Sequence, residues 1–330
     1  MVRLFANANY DFIGVRRYAY AVTAVLLTIG FLAMLVRGVN YSVEFTGGTL
    51  VRITTQAAMD VAKVRAGLEG QGIRGPEIVQ FGNDREYVIR ARTAKLGTDA
   101  DNTQETRKAV TSVLDQVLGA GTYQVGRAEA VGPKVGGELR QKALLAILLS
   151  FVAVLIYLAY RFEWRFGLAA VIATAHDIFT TVGFIAVIKL EVSLVVVGAV
   201  LSMVGYSLND TIIIFDRVRE NLRKMKGVTF EEVLNRSVNE TLPRSVLTHG
   251  TTLSSLLALT IFGGEVIRPF ALVMFFGVFT GTFSSIYIAP PVLIWIEKKW
   301  PGAAVKALAA RPVSAKGAAP AGGRKAQPVT

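Results

Sequence analysis

Asp210 lies where an ionisable side chain is expensive. It sits in the apolar run 192–215, within Gly205-Tyr206-Ser207-Leu208-Asn209-Asp210-Thr211. A charge near the centre of a membrane helix costs roughly 2.5–3.5 kcal/mol on insertion scales, so such groups face a partner or a wet cavity. The chemistry open to a lone carboxylate in apolar surroundings is proton uptake and release, biased by a cation that approaches and withdraws. Arg244 supplies the candidate cation. It follows Pro243 at the start of the next apolar run and shares a helical face with Thr248 and Thr252. The first of these runs descends to the surface from which the second ascends. Both residues therefore fall within about two turns of one membrane surface, and are expected to meet. Tyr206, Ser207 and Asn209 stand close enough along the helix to hydrogen-bond Asp210. The alternative for Arg244 is to snorkel to the interface.

A second carboxylate, Asp177, follows His176 in the run 167–188, with Thr174 and Thr181 on its helical face. It reads as a structural hydrogen-bond acceptor, with a second polar station for protons as the alternative. An aspartyl-protease dyad is the enzymatic reading of the pair, because adjacent carboxylates share a proton. Ser207-Leu208-Asn209 is not the Gly-x-Gly such enzymes carry before the second aspartate. The two residues also differ in depth by about 5–8 Å at the helical rise of ~1.5 Å per residue. The expectation is no enzyme, no metal and no cofactor.

Two glycine-rich stretches flank the region between the first two runs. Gly47 and Gly48 mark a turn or a close approach of backbone. The segment 131–140 lacks the Gly-Lys-Ser/Thr ending of a phosphate loop, so Gly132-Pro133 reads as a hinge.

These residues need a scaffold at membrane depth. The chain has 330 residues, 52% of them hydrophobic, and a mean hydropathy of +0.45. The apolar residues gather in six runs, at 17–36, 143–160, 167–188, 192–215, 245–262 and 270–296, each near the ~20 residues a spanning helix needs. The first run is longer than a signal-peptide core and reads as an uncleaved anchor. Gly198, Ser202 and Gly205 in one run, and Gly277, Gly281 and Ser285 in another, read as helix-packing stripes. Pro290-Pro291 is expected to break the last run.

The net charge of +12 does not point to nucleic acid, because the basic residues segregate. Arg16, Arg17, Arg161, Arg165, Arg217, Arg223, Arg236 and Lys298 cluster at one set of ends, and the short opposite loops carry only Lys189 and Arg268. That asymmetry places both termini in the cytoplasm and the large loop outside. Without cysteine, no disulfide braces that loop and no thiolate chemistry is available.

Within the loop, Leu50–Thr54, Glu77–Phe81, Glu86–Arg92 and Thr122–Ala128 read as strands, and Met59–Gly70 and Thr106–Leu118 as helices. Residues 82–85 form the turn between the middle strands. The order β-α-β-β-α-β predicts a ferredoxin-like plan. The fold class is thus a polytopic α-helical membrane protein, six transmembrane helices with an α+β ferredoxin-like extracytoplasmic domain. The expected divisions are 1–16, a cytoplasmic N-terminus; 17–36, the first span; 37–142, the external domain; 143–298, five spans; and 299–330, a disordered basic tail.

Several motifs together carry a resemblance: Glu44-Phe45-Thr46-Gly47-Gly48, Val131-Gly132-Pro133, His176-Asp177, the run Gly205–Asn221, Thr251-Thr252, Phe262-Gly263-Gly264 and Ser284-Ser285. Over about residues 8–298 the chain resembles the SecF family, the smaller half of the bacterial SecD–SecF accessory complex of the Sec translocon. That family is related to the resistance-nodulation-division transporters. It usually has Asp where this chain has Glu44, and Pro243 and His249 are not among its hallmarks. The resemblance implies an inner-membrane subunit that couples the proton-motive force to late protein export. It implies SecD, SecYEG and the translocating preprotein as partners, with YajC, YidC and membrane lipid beside them and no nucleic acid. It assigns the proton-handling aspartate to Asp210 and an essential arginine to Arg244. A proton-coupled small-molecule or lipid exporter of the same superfamily is the alternative.

Overall fold

The computed structural model describes residues 5, 8–71, 73–80, 85–92, 99–131, 133–264 and 266–309. The chain runs α1 (Arg16–Arg37), α2 (Val43–Thr46), β1 (Gly48–Thr55), α3 (Val61–Gly70), β2 (Arg74–Gln80), β3 (Glu86–Arg92), α4 (Asp99–Val117) and β4 (Tyr123–Val131). It continues through α5 (Pro133–Arg161), α6 (Trp164–Val187), α7 (Leu194–Lys224), α8 (Phe230–Phe262), α9 (Ile267–Tyr287), α10 (Ala289–Lys299) and α11 (Ala303–Ala309). Among the described residues, six helical stretches are long and apolar enough to span a bilayer, the last formed by α9 and α10 together.

The four strands pair antiparallel in the order β2-β3-β1-β4, with α3 and α4 as the crossovers. This is the ferredoxin-like arrangement that the alternation of short apolar strands and helices predicts. Val51, Ile53 and Ile89 on the sheet meet Val64, Leu68, Val110 and Leu114 from the helices in a core of their own. Asp60 caps α3 by accepting from the amides of Ala62 and Lys63, and so supplies donors orphaned at a helix start. The expected turn at 82–84 and the residue Gly132 lie outside the described residues.

Within the bundle, α6, α7 and α9 form the buried centre, whereas α1, α5 and α8 turn much of their apolar surface outward. Small residues set the closest approaches. A Cβ on Gly30 of α1 would stand 2.7 Å from the Cα of Gly183 in α6, so these two backbones touch. On α9, Gly277 faces Met203 and Gly281 faces Ser207, both on α7. The expected stripe on α7 itself is different: Gly198 and Gly205 have nothing within 4 Å of a Cβ position. They lie on a face that this chain leaves uncovered.

The structure corrects two further expectations. Pro243 does not open the fifth helix but lies inside α8, which starts at a capping box between Thr229 and Glu232. Residues 230–242 are rich in polar and charged side chains, yet they bury Val233, Leu234 and Val238 against the bundle. In the tail, Ala303–Ala309 is helical and Leu308 is buried, so order extends past residue 299; residues 310–330 lie outside the described residues. The break near Pro290 falls at Ile288, between α9 and α10.

The sheet is tied to the bundle at the link between α6 and α7. Tyr41 bridges Val192; the Ser42 amide donates to the Val192 carbonyl at 2.9 Å, and the Val192 amide to the Asn40 carbonyl at 2.8 Å. Arg90 of β3 pairs with Glu191 and donates to Asn40 Oδ1 at 3.2 Å. Glu44 accepts from the Leu194 amide at 2.6 Å, placing a carboxylate at the N-terminus of α7, where the helix dipole favours it. Gly47 and Gly48 have φ of +72° and +126°, a conformation costly for other residues. They turn the chain from α2 into β1 while Gly136 of α5 packs on the Gly47 amide.

At the other end, the backbone of residues 10–12 is held by two asparagines of α8. Asn239 accepts from the Tyr10 amide at 2.8 Å, Asn235 accepts from the Phe12 amide at 2.8 Å, and both donate to the Tyr10 carbonyl at 2.9 Å.

Candidate functional site

Two carboxylates lie at the meeting of α6, α7 and α9, and one pair of adjacent serines serves both. Asp177 on α6 has no exposed surface. It accepts from Ser207 of α7 at 2.5 Å, from Ser284 of α9 at 2.7 Å and from His176 Nδ1 at 2.9 Å. Asp210, one turn beyond Ser207 on α7, is 3% exposed. It accepts from Ser245 of α8 at 2.7 Å and from Ser285 of α9 at 3.1 Å. Both carboxylates are thus met by hydroxyl donors, as buried polar groups must be.

The local reasons are helical. Ser284 and Ser285 are neighbours, so they point about 100° apart and reach two different helices. Gly281 and Gly277, one and two turns earlier, remove the side chains that would keep α9 from α7. The packing stripe read from sequence therefore brings the serines to the acids. Ser207 reaches Asp177 and not Asp210, which shows that the hydroxyl nearest in sequence is directed by helix packing.

Arg244 is not beside Asp210. It is exposed on α8, with no hydrogen-bond or ion-pair partner among the described residues, and its successor Ser245 occupies the place expected for it. The charge offset of one residue on a helix decides this. Asn209 is likewise exposed and turned away. Tyr206, Thr248 and Thr252 do come together: the Tyr206 hydroxyl donates to Thr252 Oγ1 at 2.8 Å and to the Thr248 carbonyl at 3.4 Å. Thr174 bonds its own helix at the Ala170 carbonyl, and Thr181 Oγ1 is buried with no partner among the described residues.

Two histidines complete the region. His249 is buried one turn after Ser245, packs edge-on against Tyr206 with centroids 5.4 Å apart, and donates from Nδ1 to the Ser245 carbonyl at 2.8 Å. Sequence reasoning set this residue aside; its four-residue spacing from Ser245 was the available signal. His176 Nε2 is buried and lacks a partner among the described residues.

Beyond Asp210, α7 leaves the apolar layer through a charge network. Asp216 pairs with Arg161 of α5 and with Arg219, and Glu240 of α8 accepts from Arg217 at 2.6 Å, Asn221 at 2.8 Å and Arg236 at 2.9 Å. These half-exposed pairs contribute little individually, but the network locks α7 to α8 at this end. No group of three His, Asp or Glu side chains with metal-binding geometry occurs among the described residues.

The sequence and fold were compared with known proteins. Residues 110–299 match the family described as protein export membrane protein SecD/SecF, C-terminal, and residues 32–59 match the SecD/SecF GG motif. Protein translocase subunit SecF of Gemmatimonas aurantiaca is 54% identical over 304 residues, 91% of each chain. That of Pseudomonas aeruginosa is 39% identical over 289 residues, 87% of this chain and 91% of the relative. The crystal structure of SecDF, a translocon-associated membrane protein from Thermus thermophilus, aligns with a TM-score of 0.78 at 34% identity. The alignment covers 89% of this chain and 40% of that one, so the chain spans less than half of the SecDF polypeptide. Carrying the motifs in the same fold and matching SecF relatives over nearly their whole length, the chain belongs to the SecF family of protein-export membrane proteins.

Proposed function

We propose that this chain is the subunit that, with SecD, couples the proton-motive force to late steps of Sec-dependent export. In this reading it lies in the bacterial inner membrane, with both termini cytoplasmic and the sheet domain outside. The observation that carries it is Asp210, a buried carboxylate inside a spanning helix, held by two hydroxyls and, among the described residues, by no cation. A carboxylate so placed can bind a proton without breaking an ion pair, and moving one charge through the membrane potential is worth ~2.3 kcal/mol per 100 mV.

Arg244 completes the relay in a second arrangement. Neighbouring positions on a helix are about 100° apart, so a partial rotation of α8 exchanges Ser245 for the guanidinium. Ser202, Gly205, Asn209, Arg244 and Thr251 share the uncovered side of α7 and α8. Polar groups at membrane depth call for a protein neighbour or water, and SecD is the proposed neighbour. SecYEG and the preprotein, with YajC and YidC, are partners of the assembled complex.

The test is secretion of a reporter in cells whose only SecF copy carries Asp210→Asn. Proton-dependent export should fail while membrane abundance is kept; normal secretion would refute the relay. Co-purification with translocon subunits separates this reading from a small-molecule or lipid exporter.

A further inference from the structure

The end of the bundle nearest the sheet holds a cavity of about 460 Å³ between α1, α5, α6 and α7. Its volume lies within the roughly 300–1,000 Å³ usual for ligand sites. The floor is aliphatic, with Ile147, Ile185 and Val200 among its walls, and the rim carries Arg37, Arg140 and Lys189. Among the described residues, no acidic side chain lines it. Two carboxylates next in sequence to lining residues are engaged elsewhere, Glu191 by Arg90 and Glu44 by the Leu194 amide. The three cations have no acidic partner among the described residues. Arg37 donates to the Val187 carbonyl at 2.9 Å, and Arg140 lies over the Tyr41 ring at 5.1 Å.

Their level in the molecule is informative. Arg37 is the last residue of α1, and Lys189 follows the end of α6 by two positions. Cations stand where the apolar helices end, with the aliphatic slot directly beneath. Lys189 also adopts φ of +54°, at a helix end where glycine or asparagine is usual. A strained non-glycine backbone is a pointer to a functional side chain.

We propose that this cavity binds one anionic phospholipid from the leaflet on the sheet side, its phosphate among Arg37, Arg140 and Lys189 and an acyl chain in the slot. Charge complementarity selects the headgroup, and the aliphatic floor suits the chain. The site does not depend on the proton relay and would persist if that reading failed.

Native mass spectrometry of the purified full chain tests it, comparing retention of phosphatidylglycerol with phosphatidylcholine of the same acyl chains. Wild type should keep phosphatidylglycerol preferentially. Each cation removed should cost roughly fivefold in that preference, equivalent to about 1 kcal/mol. Lys189→Gly removes a cation at a backbone position that favours glycine, so its loss of preference should come without loss of thermal stability. Val197→Phe, at the mouth of the slot, should reduce retention of both lipids. Equal retention of the two lipids by wild type, or an unchanged preference in Lys189→Gly and in the triple glutamine variant of the cations, would overturn the proposal. So would displacement of the lipid by inorganic phosphate, which would mark an anion site with no use for a chain.

Discussion

The contact of Gly281 with Ser207 makes a quantitative test of how the carboxylates are held. A Cβ at position 281 would stand 2.9 Å from Ser207 Cβ, 3.1 Å from its Oγ and 3.3 Å from its Cα. Carbon atoms pack at roughly 3.5–4.0 Å, so Gly281→Ala must separate α9 from α7 by about half an ångström or more. Ser284 and Ser285 ride on the same helix, and their bonds to Asp177 and Asp210, at 2.7 and 3.1 Å, would lengthen with it. Overpacking costs about 1–3 kcal/mol, and weakening a hydrogen bond to a charged group adds about 1.5–3 kcal/mol if the bond is lost. The gain in helix propensity returns about 1 kcal/mol, leaving a net loss of roughly 1.5–5 kcal/mol for the combined terms. Gly205→Ala is the matched control, because the same methyl meets nothing there and only the propensity gain remains. Thermal unfolding of the two variants, each purified as the single chain in detergent, should show Gly281→Ala melting well below wild type and Gly205→Ala at or above it. Equal melting temperatures would refute the argument that glycine spacing on α9 sets the serine–carboxylate bonds.

Other substitutions separate the remaining contacts. Arg244→Lys and Arg244→Ala should leave the melting temperature of the isolated chain unchanged, since the side chain is exposed, and both should impair export if the guanidinium fork matters; an export defect in the alanine variant alone would show that charge suffices. Asn239→Ala removes three hydrogen bonds around Tyr10 and Asn235 and should increase amide hydrogen exchange at residues 10–12, with no change in the sheet. Glu44→Gln keeps an acceptor for the Leu194 amide but removes the charge at the N-terminus of α7, and should destabilise the chain by about 0.3–1 kcal/mol in chemical unfolding. Ser285→Ala should be milder than Ser245→Ala for Asp210 function, because its bond is longer by 3.1 against 2.7 Å; the reverse order in an export assay would contradict the geometry.

The spans were legible because hydropathy is a local property, and the sheet because its strands alternate with amphipathic helices. Asp210 and Asp177 stood out for the same reason, as charges in apolar runs. Their partners did not, since Ser284 lies 107 positions from Asp177 and Ser285 lies 75 from Asp210. Only packing brings them together. The start of α8 was hidden by its polar first turns, whose buried face has a helical period but little net hydrophobicity. Arg244 shows the sharpest limit: the spacing argument put the right stretch of α8 beside Asp210, but a helix turns ~100° per residue, so Ser245 faces inward while Arg244 faces out.

The stitching of Asn40, Tyr41, Ser42 and Arg90 to residues 191 and 192 has a mechanical meaning. The link it grips joins α6, which carries Asp177, to α7, which carries Asp210. Coupling between two sites is reciprocal in free energy. If protonation at the bundle centre tilts the sheet, then a polypeptide tugging on the sheet must alter the hold on the proton by the same amount. On the proposed function, the attachment would serve as a strain gauge as much as a drive shaft, with the grip on cargo metering the passage of protons.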